Sequence, residues 1–119
     1  MCATINYHNR VFKSAGSSEN GEVNGETIFR YQQTEDIVTA TYAGAAIRLG
    51  LLLARTAAHG QLNMRYQHVN ECGNLMTGTC HTVPEVLPDG RLRLHETWQW
   101  TSGDFSGGQS VLEETIYKN

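Results

Sequence analysis

Two titratable side chains, Glu96 and His68, stand on lines of residues that otherwise predict a hydrophobic core. Glu96 falls between Leu94 and Trp98, in a segment whose other even-numbered residues are apolar. A carboxylate that faces a core must find partners or take up a proton. His68 could serve as an acid or a base, as histidine does in many active sites. The pair is therefore a candidate catalytic site or a pair of polar anchors in a binding cavity.

Large apolar side chains accompany both residues. Trp98 and Trp100 share a face with Glu96, while Met64 and Tyr66 share a face with His68. Filling the core is one interpretation, because aromatic residues dominate most small cores. The alternative is a cavity wall, because ligand pockets are mostly apolar with a few placed polar groups. On that alternative, the candidate ligand-binding residues are Phe29, Met64, Tyr66, His68, Glu96, Trp98 and Trp100.

Other chemistry-bearing residues form no established motif. No two histidines make an HxH or HxxxH pair, and the adjacent Cys80 and His81 would point to opposite faces of a strand. The nucleophile motif G-x-S-x-G is absent. Walker and dinucleotide-binding glycine motifs are absent as well. We therefore expect neither a metal nor a cofactor.

Seven turn signals at short intervals define the elements that must position these residues. The segments between them have strand length, and seven turns separate eight segments. Eight consecutive antiparallel strands can close into a small barrel. The sequence therefore predicts one all-β domain over residues 1–119, an eight-stranded antiparallel up-and-down β-barrel. The turns are Glu19–Glu22, Gln33–Asp36, Ala43–Ala45, His59–Gly60, Glu71–Asn74, Pro88–Gly90 and Ser102–Asp104.

Alternation and β-branched content predict the individual strands. The clearest is Arg91 to Thr101, with Leu92, Leu94, Glu96, Trp98 and Trp100 on its inner face. The first strand is predicted to pair with the last, so that no edge stays exposed. The other strands with predicted bounds are Asn6–Lys13, Ile28–Gln32, Ile37–Tyr42, Leu62–Val69 and Val111–Tyr117, with a polar loop at Ser14–Asn24.

The turn at Glu71–Asn74 also sets a register. It predicts that Tyr66 pairs near Gly78 and Met64 near Cys80, although a slip of one residue would reverse the faces. One segment is ambiguous, because Ala45–Ala58 is rich in the helix formers Ala, Leu and Arg. A strand is favoured there by Gly50 and by the β-rich segments on both sides, but a helix is the alternative.

The partners of Glu96 depend on this register. The candidates are Tyr66, His68, Arg65 and Gln99. In the plainest interpretation, Glu96 lies near a barrel mouth and pairs with an arginine. In the functional interpretation, it is a polar anchor inside a cavity.

Composition excludes several classes of function. The net charge is −3 and the nine Lys and Arg residues are scattered, which argues against nucleic acid. No apolar run approaches the roughly 20 residues of a membrane helix, and the N-terminus does not resemble a signal peptide. We expect a cytoplasmic protein without membrane or nucleic-acid partners. Its odd set of cysteines, Cys2, Cys72 and Cys80, is expected to be reduced.

Three motifs resemble those of a family of small bacterial proteins that often carry the automatic label N-acetylglutamate synthase. They are MRYQHVN at 64–70, LPDGRLRLHE at 87–96 and WQWTSGD at 98–104. The resemblance runs over most of the chain and implies a calycin-type barrel, similar in plan to avidins and lipocalins. The label implies acetyl-CoA binding through an R/Q-x-x-G-x-G/A loop. Arg48 to Leu52 does not match that spacing, so we expect no acetyl-CoA binding.

Three functions are compatible with these features. The first is binding of a small apolar or aromatic ligand, with Trp98, Trp100 and Tyr66 as walls and Glu96 and His68 as anchors. The second is an enzyme of the cyclase or isomerase kind, in which Glu96 and His68 move a proton; a raised pKa of Glu96 would favour it. The third is an interaction module that forms a homodimer through outward apolar residues such as Val69 and Leu75.

Overall fold

Residues 5–115 are described by a computed structural model, in which eight β-strands form one closed barrel. Each strand pairs antiparallel with the next, and β1 pairs with β8. The prediction of an eight-stranded up-and-down barrel is therefore confirmed. The strands are β1 Val11–Ser17, β2 Ile28–Thr34, β3 Ile37–Gly44, β4 Ile47–Thr56, β5 Leu62–Asn70, β6 Leu75–Val86, β7 Leu92–Trp100 and β8 Gly107–Thr115.

The ambiguous segment is a strand, and the alternative of a helix over residues 45–58 is wrong. Along β4, buried Leu52 and Ala54 alternate with exposed Leu51 and Leu53. Pairing with β3 on one side and β5 on the other satisfies its backbone groups. Gly50 also lies directly against the ring of Tyr42, where a side chain would collide. Tertiary pairing thus overrides the local helix propensity.

The first strand begins later than predicted. Residues 5–10 do not join β1 but cross one end of the barrel, where Tyr7 is fully buried. The hydroxyl of Tyr7 donates to the carbonyl oxygen of Gly60 at 2.5 Å. The predicted loop at 14–24 is correspondingly displaced to 18–27. The last strand covers 107–115 instead of 111–117, and residues 116 and 117 lie outside the described residues.

The two ends of the barrel differ. The end that carries the β2–β3, β4–β5 and β6–β7 turns is covered by residues 5–10, and we call it the closed end. The opposite end, the open end, carries the connections 18–27, 45–46, 71–74 and 101–106. The closed half is filled by side chains less than 2% exposed, among them Tyr7, Phe12, Tyr31, Val38, Leu62, Leu92, Leu94 and Leu112. Space for a ligand is therefore left at the open end.

The register predicted from the Glu71–Asn74 turn is confirmed. Tyr66 pairs with Gly78 and Met64 pairs with Cys80, so that the inner faces of β5 and β6 are those expected. The ring of Tyr66 lies directly over Gly78, where a Cβ atom would overlap it. In the described part of the chain, no helix is long and apolar enough to cross a membrane.

Candidate functional site

One cavity opens at the open end of the barrel. Its empty space is about 480 Å³ when the open solvent of the mouth is included, and about 50 Å³ of it admits the centre of a water molecule. All seven candidate residues from the sequence line it: Phe29, Met64, Tyr66, His68, Glu96, Trp98 and Trp100. Further lining residues that sequence reasoning did not single out are Ser17, Gly21, Glu22, Val23, Tyr42, Leu52 and Cys80. That these residues bind a ligand stays a prediction.

Aromatic rings form most of the wall. Trp98 and Trp100 on β7 both point into the barrel, with ring centroids 5.6 Å apart. The ring of Tyr66 meets that of Trp100 edge to face, with centroids 5.7 Å apart. Phe29 and Tyr42 stack on the neighbouring β2 and β3 at 4.8 Å. Because contacts between neighbours hold each ring, the wall is organised before any ligand arrives.

Glu96 lies at the floor of the cavity, between two hydroxyls. Thr82 on β6 and Ser110 on β8 are its direct cross-strand neighbours. The hydroxyl of Ser110 donates to one carboxylate oxygen at 3.0 Å, and that of Thr82 to the other at 3.4 Å. Burial raises the pKa of Glu96 to about 7, although these two hydrogen bonds lower it in part. The group therefore changes charge near neutral pH.

Among the described residues, no hydrogen bond joins Glu96 to any of its predicted partners, although Tyr66 interacts with it electrostatically. Arg65 and Gln99 are exposed on the outer face of the barrel, and the groups that hold Glu96 are hydroxyls on the adjacent strands. The interpretation that places Glu96 near the mouth with an arginine is wrong for the same reason. Cross-strand register sets these contacts, and the sequence left the pairings of β6 with β7 and of β7 with β8 open.

The ionisable groups that interact with Glu96 include four tyrosines and one cysteine, and burial favours the protonated, uncharged form of each. Tyrosines from four parts of the chain and one thiol interact electrostatically with Glu96, and burial is the largest cause that raises the pKa of each one. These groups stay protonated at neutral pH. They are Tyr7 before β1, Tyr31 on β2, Tyr42 on β3, Tyr66 on β5 and Cys80 on β6.

His68 lies near the mouth and is 2% exposed. Its Nε2 is 2.7 Å from a carboxylate oxygen of Glu22, and its Nδ1 is 2.9 Å from the hydroxyl of Tyr42. A carboxylate oxygen only accepts, so Nε2 carries the proton and donates it. In the neutral ring, Nδ1 then accepts from Tyr42. The second oxygen of Glu22 accepts from the amide of Asn70 at 3.0 Å.

Glu22 was missed because it belongs to the irregular 18–27 loop, 46 residues from His68 in sequence. No periodic pattern marks a loop residue that turns back into a barrel. Tyr42 was placed on a strand, but nothing in its local sequence indicated a hydrogen bond to His68.

The two candidate acid–base residues, Glu96 and His68, belong to separate hydrogen-bond networks. Glu96 bonds to Ser110 and Thr82 at the floor, whereas His68 bonds to Tyr42 and Glu22 near the mouth. Among the hydrogen bonds of the described residues, none joins Glu96 to His68. The cavity thus has two separate polar positions, and any proton transfer between them would need a bound molecule.

The 18–27 loop is fastened over the cavity wall. The indole nitrogen of Trp100 donates to the carbonyl of Asn20 at 3.1 Å. The Asn20 amide donates in turn to Ser106 and Gly107 at 2.9 and 2.8 Å. With the bonds of Glu22 to His68 and Asn70, these contacts hold the loop at several points of the mouth.

No set of three His, Cys, Asp or Glu side chains is arranged to hold a metal ion within residues 5–115. Cys72 and Cys80 are free thiols, and Cys2 lies outside the described residues.

A closed eight-stranded barrel, packed at one end and opening into an aromatic-lined cavity at the other, defines the class of small-molecule-binding barrel proteins. The chain belongs to the avidin-like protein family, whose model matches residues 5–115. The resemblance to calycin-type and avidin-like barrels is thereby confirmed. No curated protein and no solved structure matches the chain.

Proposed function

We propose that this protein binds a small, mostly apolar or aromatic molecule inside the barrel. Trp98, Trp100 and Tyr66 serve as walls, Glu96 as the anchor at the floor and His68 as the anchor near the mouth. The observation that carries the proposal is the space itself. Side chains fill the closed half, while a cavity with aromatic walls and a polar floor is left in the open half.

The chain supplies its own reporter for a binding experiment. It contains two tryptophans, Trp98 and Trp100, and both line the cavity. Intrinsic fluorescence therefore reports on this site, and we expect a saturable change on titration with a panel of small non-fluorescent aromatic compounds.

A matched pair of variants on β4 tests the location. Leu52 lines the cavity, whereas the next residue, Leu53, is exposed on the outside. Leu52→Phe should reduce affinity by about tenfold or more because the larger ring takes ligand space, and Leu53→Phe should leave affinity unchanged. Absence of binding across the whole panel, or equal effects of the two substitutions, contradicts the proposal.

An enzyme that moves a proton is the second candidate. The observation in its favour is the pKa of Glu96, raised by burial to about 7, which suits an acid or base at neutral pH. Exchange of ligand hydrogens for solvent deuterium, followed by NMR, tests it. Exchange that Glu96→Gln abolishes while binding persists would support this function. If the wild type binds the ligand but does not exchange its hydrogens for deuterium, the enzymatic function is contradicted and the binding function remains.

A homodimer is the third candidate, and the outer face of β4 favours it. Leu49, Leu51 and Leu53 are about half exposed in one row. Beside this row Leu49 pairs with Val69, and Val69 pairs with the exposed Leu75. Two copies joined by a twofold axis would cover this apolar row with itself. Sedimentation should show a dimer that Leu51→Lys dissociates; a wild-type monomer at high concentration would contradict it.

A further inference from the structure

We propose that the ligand is an organic cation, an amine whose ammonium group contacts the carboxylate of Glu96 while its apolar body lies against the aromatic wall. This inference rests on the proposed function, that the cavity holds a small molecule. It adds the charge and the chemical class of that molecule.

The carboxylate of Glu96 has hydrogen-bond acceptor positions that the described residues do not occupy. From the described part of the chain it accepts hydrogen bonds from two hydroxyls, those of Ser110 and Thr82, and it lines the cavity. An ionised carboxylate offers about four acceptor positions, and an ammonium group carries three donors with no acceptor. An amine that reaches the floor therefore finds a complementary partner.

Within residues 5–115, no basic side chain forms an ion pair with Glu96. Hydrogen bonds from the hydroxyls of Ser110 and Thr82 lower the pKa of Glu96. The negative charge of Glu96 in turn raises the pKa of four tyrosines and of Cys80. A buried carboxylate without an opposite charge keeps its proton to a higher pH. A ligand cation would supply the charge that is missing, whereas a neutral ligand would not.

The walls suit a cation as well. Aromatic rings attract a cation positioned over their faces within about 6 Å of the ring centre, and the attraction grows when water is excluded. Five rings surround the space above Glu96, from β2, β3, β5 and β7. They belong to Phe29, Tyr42, Tyr66, Trp98 and Trp100.

The rim of the open end carries negative charge, as the ionised Glu96 does at the floor. Its four connections carry five acidic residues and neither lysine nor arginine. The acidic residues are Glu19, Glu22, Glu26, Glu71 and Asp104. The segments at the closed end carry both signs of charge, with Arg10 and Arg91 beside Glu35, Asp36 and Asp89. With a net charge of −3, the molecule attracts cations towards this mouth and repels anions.

Three probes of similar size and different charge separate the possibilities: phenethylamine, 2-phenylethanol and 3-phenylpropanoate. At pH 8 we expect the amine to bind about tenfold or more tightly than the alcohol, and the acid to bind least. Tryptophan fluorescence is the readout for all three.

Two variants assign the preference to the floor. Glu96→Gln should bring the affinity for the amine down to that for the alcohol, while alcohol binding is kept. Glu19→Gln removes one charge from the exposed rim and should leave the preference for the amine largely intact. The tryptophan emission of the unliganded variants checks that each one is folded.

The pH dependence gives an independent check. The amine stays charged from pH 5 to pH 8, so its advantage over the alcohol should shrink towards pH 5 as Glu96 takes up a proton. Among the described residues that line the cavity, the acidic and histidine side chains other than Glu96 are Glu22 and His68. A pH effect that persists in Glu96→Gln would belong to them and would contradict the assignment to Glu96.

The outcomes distinguish this inference from the function on which it rests. Equal or tighter binding of the alcohol or the acid overturns the amine while the binding function stands. Failure of these three probes and of the wider aromatic panel to bind overturns both.

Discussion

Replacing Glu96 by glutamine should change how stability depends on pH. In the folded protein, burial raises the pKa of Glu96 from its ordinary value of 4.5 to about 7. The folded state therefore binds a proton more tightly than the unfolded chain. The stability that this adds is fully present below pH 4.5, and it is lost as the pH rises through 7. The wild type should thus become less stable between pH 5 and pH 8 on account of this one side chain.

The magnitude follows from the two pKa values. The shift of about 2.5 units is worth about 3 kcal/mol in total. Between pH 5 and pH 8 about 2.5 kcal/mol of this is lost, because some of the change occurs below pH 5. Glutamine has a similar shape but does not ionise in this range. Relative to the protonated acid, its amide in place of a hydroxyl group costs about 1 kcal/mol through one lost hydrogen bond, and this cost is independent of pH.

Urea unfolding at pH 5 and pH 8 measures the effect. The difference in unfolding free energy between Glu96→Gln and the wild type should move by about 2.5 kcal/mol in favour of the variant from pH 5 to pH 8. The constant cost of the lost hydrogen bond cancels in this comparison. Glu71→Gln, in an exposed turn, is the control and should show little change. If the curves of Glu96→Gln and wild type run parallel, the carboxylate is not held as described.

Two further pairs of substitutions test the packing. The fully buried Tyr31 has a hydroxyl without a hydrogen-bond partner among the described residues, so Tyr31→Phe should leave the protein equally or slightly more stable. Tyr7→Phe removes the hydrogen bond to the carbonyl oxygen of Gly60 and should cost about 1 kcal/mol in thermal or urea unfolding; the reverse order would contradict this account. Gly78→Ala drives a methyl group into Tyr66 and should cost about 1–3 kcal/mol, whereas Gly16→Ala meets open space and should cost much less; equal losses would argue against the contact.

Much of the barrel could be predicted because its signals are local. Glycine turns and period-2 alternation lie within a few residues of each other, and together they set the inner face of β7 and the pairing of β5 with β6. Six of the seven predicted cavity residues lie on the inner faces of β5 and β7, and the seventh is Phe29 on β2. Their convergence on one cavity reflects the simple geometry of an up-and-down barrel, in which sequence neighbours are spatial neighbours.

The remainder depends on contacts that no local pattern encodes. The later half of β1 is polar and exposed, and its pairing with β8 shifts between Ser14 and Gly16, so alternation fails there. Residues 5–10 cover the closed end through contacts with distant turns. Glu22 reaches His68 only because the 18–27 loop folds back, and the hydroxyls that hold Glu96 come from two different strands.

The fastening of the 18–27 loop has a kinetic consequence. Asn20 attaches it to Trp100 and Ser106, and Glu22 attaches it to His68. A molecule that lies partly beneath the loop would leave faster whenever these bonds open. Changes in the loop would then alter the dissociation rate without altering the cavity floor.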